Sequence, residues 1–120
     1  MPNSITSIGK SVFTFSDSIA EIILSNKLEI IGKEACFGLK RLRSIKIPDS
    51  VHTIDDWAFS GCVNLRDVTI SNKIKYIGYC AFYECYSLAK IVIPESIEEI
   101  GGGAFDKCSN LKEVYCKAVI

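Results

Sequence analysis

From residue 2 onward the apolar positions of the chain return at a fixed interval. The units are 2–24, 25–47, 48–70, 71–93 and 94–116, and Lys117-Ala118-Val119-Ile120 opens a sixth. The fourth position of each unit holds Ile5, Leu28, Val51, Ile74 and Ile97, and the seventh holds Ile8, Ile31, Ile54, Ile77 and Ile100. Val12, Ala35, Ala58, Ala81 and Ala104 fill the eleventh; Phe13, Cys36, Phe59, Phe82 and Phe105 fill the twelfth. Each unit closes on L-x-x-I-x-I, as in Leu42-Arg43-Ser44-Ile45-Lys46-Ile47. That alternation at period two predicts a short strand with one buried face. The A-F-x-x-C stretch is too short for a full helix and predicts one helical or 3₁₀ turn.

A unit this short cannot bury its apolar side alone, whereas stacked units share one continuous core. The pattern therefore predicts a single repeat solenoid over 1–120. Its successive strands should form a parallel sheet on the concave face, with right-handed crossovers and short strands and single turns elsewhere. The eighth position reads Gly9, Gly32, Asp55, Gly78, Gly101, which predicts a residue at positive φ. A weaker two-unit superperiod is superimposed. Units one, three and five open on Pro2, Pro48 and Pro94, and units two and four on Ser25-Asn26-Lys27 and Ser71-Asn72-Lys73.

Composition narrows the function. Among 120 residues, 14 Lys and Arg balance 14 Asp and Glu, so the net charge is zero. Such a balance lacks the footprint of a nucleic-acid or anionic-membrane binder. No apolar run approaches the ~18–20 residues of a membrane span, and Met1-Pro2-Asn3-Ser4 does not read as a signal peptide. The expectation is no nucleic acid and no membrane insertion.

Candidate chemistry is sparse. Cys62, Cys85 and Cys108 share one column, so stacking lines them up; Cys36, Cys80 and Cys116 lie in three others. Zinc needs four converging ligands, usually from CxxC-like pairs, and none is present. A bridge between ladder neighbours is geometrically allowed, but buried structural thiols are the expected state. Gly9-Lys10-Ser11 ends like a phosphate-binding loop, yet Ser4 stands where that motif needs glycine. Gly101-Gly102-Gly103 lacks both the following Lys and the long helix. His52 sits at the fifth position, opposite the tail strands and beside Glu29 and Lys75, without a nucleophile in reach. Asp55-Asp56 is a pair only in sequence, since paired carboxylates need a cleft to face across. No enzyme, metal or cofactor is expected.

What remains is surface. The residues flanking the central Ile of each tail strand project outward. They read Glu21, Ser44, Asp67, Lys90, Glu113 in one column and Ile23, Lys46, Thr69, Val92, Tyr115 in the other. From these, Lys46, Asp67, Thr69, Lys90 and Tyr115 are candidate protein contacts. Tyr79, Tyr83 and Tyr86, with Tyr76 close by, form a second candidate on the flank of unit four, of the residue type enriched at interfaces.

The motif I-P-x-S-[VI]-x-x-I-x-x-x-A-F-x-x-C-x-x-L-x-x-V, carried almost completely by Pro48–Ile70 and Pro94–Cys116, resembles the leucine-rich repeats of the BspA type. The first unit departs from it at Ser16, and the second at Cys36 and Leu39. The resemblance implies a leucine-rich-repeat solenoid from an adhesin-like protein, at the cell surface or secreted. It implies a non-catalytic protein-binding module with a protein partner; the competing reading is a structural spacer array. Ser16-Asp17-Ser18 reads as a partial N-terminal cap. At the other end Leu111, Val114 and Cys116 should border an uncovered strand, so the expectation is self-association there, or a longer array that covers it.

Overall fold

In the computed structural model, residues 7–8 and 18–116 are described. The expected cap residues Ser16 and Asp17, and the start of a sixth unit at 117–120, lie outside them. The regular elements among these residues are nine short strands. They are β1 (Ser7–Ile8), β2 (Ile30–Ile31), β3 (Ser44–Lys46), β4 (Thr53–Ile54) and β5 (Asp67–Thr69), then β6 (Tyr76–Ile77), β7 (Lys90–Ile93), β8 (Glu99–Ile100) and β9 (Glu113–Cys116). Most coils thus contribute two strands, one near the seventh position and one in the tail.

All pairing is parallel. The ladder β1-β2-β4-β6-β8 runs unbroken through five coils, with Ile31 opposite Ile54 and Ile77 opposite Ile100. Each step is one whole unit, so identical columns face one another. The tail strands, expected to form the principal sheet, are instead in two pieces, β3-β5 and β7-β9. The continuous ladder is made of the two-residue strands on the other side of each coil.

The core lies between these two faces. Leu28, Ile31, Leu42, Ile54, Leu65, Ile74, Ile77 and Leu88 are almost wholly excluded from water. Phe59, Phe82 and Phe105 stack nearly face to face, with centroids 5.3 and 5.6 Å apart and planes within 7°. One coil spacing of ~4.8 Å brings equivalent rings into contact, and columns of Ile, Leu, Ala and Cys fill the rest.

The A-F-x-x-C stretch is not a helical turn. It is a run of tight turns in which the tenth and fourteenth positions are left-handed: Glu34 and Gly38, Trp57 and Gly61, Cys80 and Glu84, Gly103 and Lys107. Alternate N–H groups then point in two directions. Those of Ala58, Ser60 and Cys62 close local turns onto Asp55, Trp57 and Phe59. Those of Trp57, Phe59 and Gly61 donate to Tyr79, Ala81 and Tyr83 of the next coil at 2.7–2.9 Å. A helix would spend every N–H within the coil and leave neighbouring coils unbound.

The glycine column is also corrected. Gly32, Gly78 and Gly101 are absent from the positive-φ residues. For Gly78 and Gly101 the constraint is room: a Cβ on Gly78 would lie 2.5 Å from the Asp56 nitrogen, and one on Gly101 would crowd that of Tyr79 still more closely. The two-unit superperiod has a physical basis as well. Ser71 Oγ, at the first position, donates to Val51 O, and Ser96 Oγ, at the third, donates to Ile74 O. Both hydroxyls satisfy the same carbonyl column from two places. Ser50 Oγ is buried without such a partner.

Candidate protein-binding surfaces

The groups that suggest catalysis are all engaged structurally. Cys62, Cys85 and Cys108 are free, buried thiols that donate to Cys36 O, Phe59 O and Phe82 O at 3.1–3.2 Å. Each thiol therefore fastens its coil to the turn of the coil before. Desolvation pushes the Cys62 thiol up to about 12 and raises Cys36, Cys85 and Cys108 in the same direction. Such groups are poor nucleophiles and poor metal ligands. Among the described residues no cluster of His, Cys, Asp and Glu is placed to hold a metal ion. His52 lies beside Glu29, with Nε2 3.9 Å from Oε1, and its Nδ1 is 2.7 Å from Thr53 Oγ1. Asp55 accepts from the Asp56 N–H, and Asp56 Oδ1 accepts from the Tyr79 N–H at 2.8 Å, so this pair braces a turn.

The flank of coil four is different. Ala81 and Phe82 turn into the core, which leaves Tyr79 and Tyr86 exposed and Tyr83 half-buried. Their spacing is not helical: left-handed Cys80 and Glu84 set the outward directions instead. The sequence reading missed the centre of this surface, which is Trp57 from coil three. Its indole meets Tyr79 edge-on at 5.6 Å and Tyr83 at 5.8 Å, and Phe37 from coil two lies 6.4 Å away. Phe37 and Tyr83 share the thirteenth position, one coil to either side of Trp57, so the column alignment contained the signal. Edge-to-face geometry at these distances is favourable and holds the rings in fixed orientations.

Tyr86 donates to Glu84 Oε2, a bond that raises its hydroxyl pKa; Tyr79 is raised first by its hydrogen bond with the Cys80 side chain. Tyr76 stands on β6, its hydroxyl 3.5 Å from Glu98 Oε1. Tyr76 and Tyr79 line one shallow depression of about 280 Å³ that also takes in Asp56 and Glu99. The four tyrosines thus fall on adjoining faces.

On the tail-strand face, Lys46, Asp67, Thr69 and Lys90 are all exposed. Tyr115 belongs to β9. Lys46 and Thr69 are in register on β3 and β5, and Asp67 and Lys90 lie on either side of the parting between β5 and β7. A groove of about 580 Å³ opens where β3, β5 and β7 end, with Lys46, Thr69, Ile70 and Val92 among its walls. At the C-terminal end of the stack Ile100 is 42% and Val114 55% exposed, whereas their counterparts Ile77 and Ile91 are 1% exposed.

Stacked coils of equal length, joined by parallel ladders around an apolar core, define a leucine-rich-repeat solenoid. The family described as BspA type leucine-rich repeat region matches residues 33–120, and the chain belongs to it. A leucine-rich repeat protein of T. pallidum is 32% identical, with a TM-score of 0.90 over 92% of this chain and 51% of its own. One from Bacteroides ovatus is 28% identical, with a TM-score of 0.86 over 95% of this chain and 30% of its own. A third, from Bacteroides capillosus, is 28% identical with a TM-score of 0.69, over 93% and 77% respectively. The chain spans about half or less of the first two. Among curated proteins, none matches at a significant level. No helix among the described residues is long and apolar enough to cross a membrane.

Proposed function

We propose that the chain is a non-catalytic protein-binding module of an adhesin-like protein, carried at the cell surface or secreted. The observation that carries this reading is the aromatic group on the flank. Trp57, Tyr79 and Tyr83 present rigid, partly exposed rings gathered from two coils, and such rings dominate the energy of protein interfaces. Tyr76 and Tyr86 extend the surface to either side, and Lys46, Asp67, Thr69 and Lys90 supply a polar second face beside β9, the strand that carries Tyr115. Family membership supports the setting, because a leucine-rich solenoid offers long surfaces and no enclosed cleft. The surface location rests on the BspA resemblance.

Trp57 is the only tryptophan, so its fluorescence reports directly on this surface. Immobilised host-matrix proteins should retain the wild-type chain and shift its emission. The double variant Trp57→Ala/Tyr79→Ala should be retained at least tenfold less, with its denaturant midpoint still cooperative. Equal retention of both proteins would favour the alternative, a spacer array without a specific ligand.

A further inference from the structure

The arc between the cysteine column and the tail strands comprises 40–43, 63–66, 86–89 and 109–112 on coils two to five. In a chain without net charge it carries Lys40, Arg41, Arg43, Arg66 and Lys112, and no acidic residue. All five cations are exposed. Arg43 and Arg66 occupy the same column on adjacent coils, where the Arg66 N–H donates to Arg43 O at 2.8 Å. Neither guanidinium forms an ion pair among the described residues. Like charges set in register on adjacent coils repel, so this placement works against the fold.

The backbone beneath them is unusually well fastened. Asn64 Nδ2 donates to Lys40 O at 2.7 Å, Ser87 Oγ to Val63 O at 2.9 Å and Asn110 Nδ2 to Tyr86 O at 2.7 Å. One column of side chains thereby ties each coil to the last, directly below the cations. The third residue of the arginine column is Ala89, and its small side chain leaves a groove of about 350 Å³. Arg66 and Lys112 wall this groove, Ser87 and Asn110 line it, and the Lys112 N–H donates to Ala89 O.

We propose that this cationic arc is a docking track for an extended acidic segment of a partner protein. The guanidinium fork matches a carboxylate with two parallel hydrogen bonds, which favours Asp and Glu side chains. The spacing agrees. Arg43 and Lys112 stand three coil steps apart, about 14 Å at ~4.8 Å per step, and residues i and i+4 of an extended strand lie about 13 Å apart. An acidic residue at each place would meet the two ends of the track, with Arg66 between them. Asn110 spends its N–H on Tyr86 O, so its carbonyl oxygen is left to accept from the segment's backbone. Of the aromatic surface only Tyr86 falls within this arc, and Trp57 lies outside it.

The test is fluorescence anisotropy with the whole chain and a fluorescein-labelled peptide of alternating Glu and Ser. Binding should be measurable at low ionic strength and should weaken steeply with salt. Arg43→Glu/Arg66→Glu should lose about thirtyfold or more in affinity at an unchanged denaturant midpoint. Lys73→Glu/Lys75→Glu, which reverses two exposed charges elsewhere, and Trp57→Ala should each stay within about twofold. Absence of binding to the wild-type chain, or equal loss in the two charge-reversal variants, would overturn the proposal. So would loss of binding in Trp57→Ala, or tighter capture of a heparin fragment of equal charge, which would assign the track to polysaccharide.

Discussion

Truncating Phe82 to Ala removes the middle ring of a three-ring stack. Phe82 is fully buried, with Phe59 5.3 Å to one side and Phe105 5.6 Å to the other, both nearly parallel to it. Loss of a buried Phe costs about 3–5 kcal/mol from transfer and cavity together. Both aromatic neighbours are lost at once, at about 0.5–1.5 kcal/mol per pair, so the value belongs at the upper end, near 5 kcal/mol. Against a total of about 5–15 kcal/mol for a domain of this size, that is a third or more of the stability. Phe105 is only partly buried, so Phe105→Ala should cost roughly half as much. Urea unfolding of both variants, followed by the fluorescence of Trp57, reads the difference directly. Phe59→Ala/Phe82→Ala should cost less than the sum of the single changes, since the two rings share one contact. Equal midpoints for Phe82→Ala and Phe105→Ala, or a cost below about 1.5 kcal/mol for the former, would refute the stacked-column account.

Four further outcomes follow from the same geometry. Gly78→Ala should destabilise by about 2 kcal/mol or more, because the new methyl would lie 2.5 Å from the Asp56 nitrogen. Lys107→Gly should stabilise by up to about 1 kcal/mol, since a left-handed φ of 61° suits glycine and the residue is exposed; thermal melts would show either shift. The buried thiols have folded pKa values above their unfolded ones, so their contribution is complete below about pH 9 and fades as pH rises toward about 12. Unfolding free energies from urea titrations should fall over that range, by up to about 1.4 kcal/mol per pH unit from the Cys62 thiol, and less steeply in Cys62→Ala. Lys46→Ala on the tail-strand face should change stability by no more than about 0.5 kcal/mol in a denaturant titration.

Much of the fold was legible in the columns. The recurring apolar positions assigned the core residues Ile31, Ile54, Phe59, Phe82 and Leu88 directly, because burial is a side-chain property and the side chains repeat. Backbone geometry was less legible. Left-handed φ falls at positions where glycine appears only at Gly38, Gly61 and Gly103, and where Glu34, Trp57, Cys80, Glu84 and Lys107 occupy the other turns. Composition there is set by what projects outward, and inter-coil hydrogen bonds hold the conformation. The more uniform glycine column marks a steric limit instead. Of the candidate surface, the tyrosines were visible in one unit. Trp57 and Phe37 join them only when rings one coil apart are brought into contact.

The alternation of N–H groups along the flank also governs how such a chain can change length. A single residue inserted between Trp57 and Cys62 would exchange local and inter-coil donors for the rest of that turn and put it out of step with the coils on either side. Insertion or removal of one complete unit leaves each donor opposite an acceptor of the same column. Length is therefore quantised in whole coils, and the outward residues of each coil can be rewritten without disturbing that match. The aromatic flank and the cationic arc are two such texts written on one invariant frame.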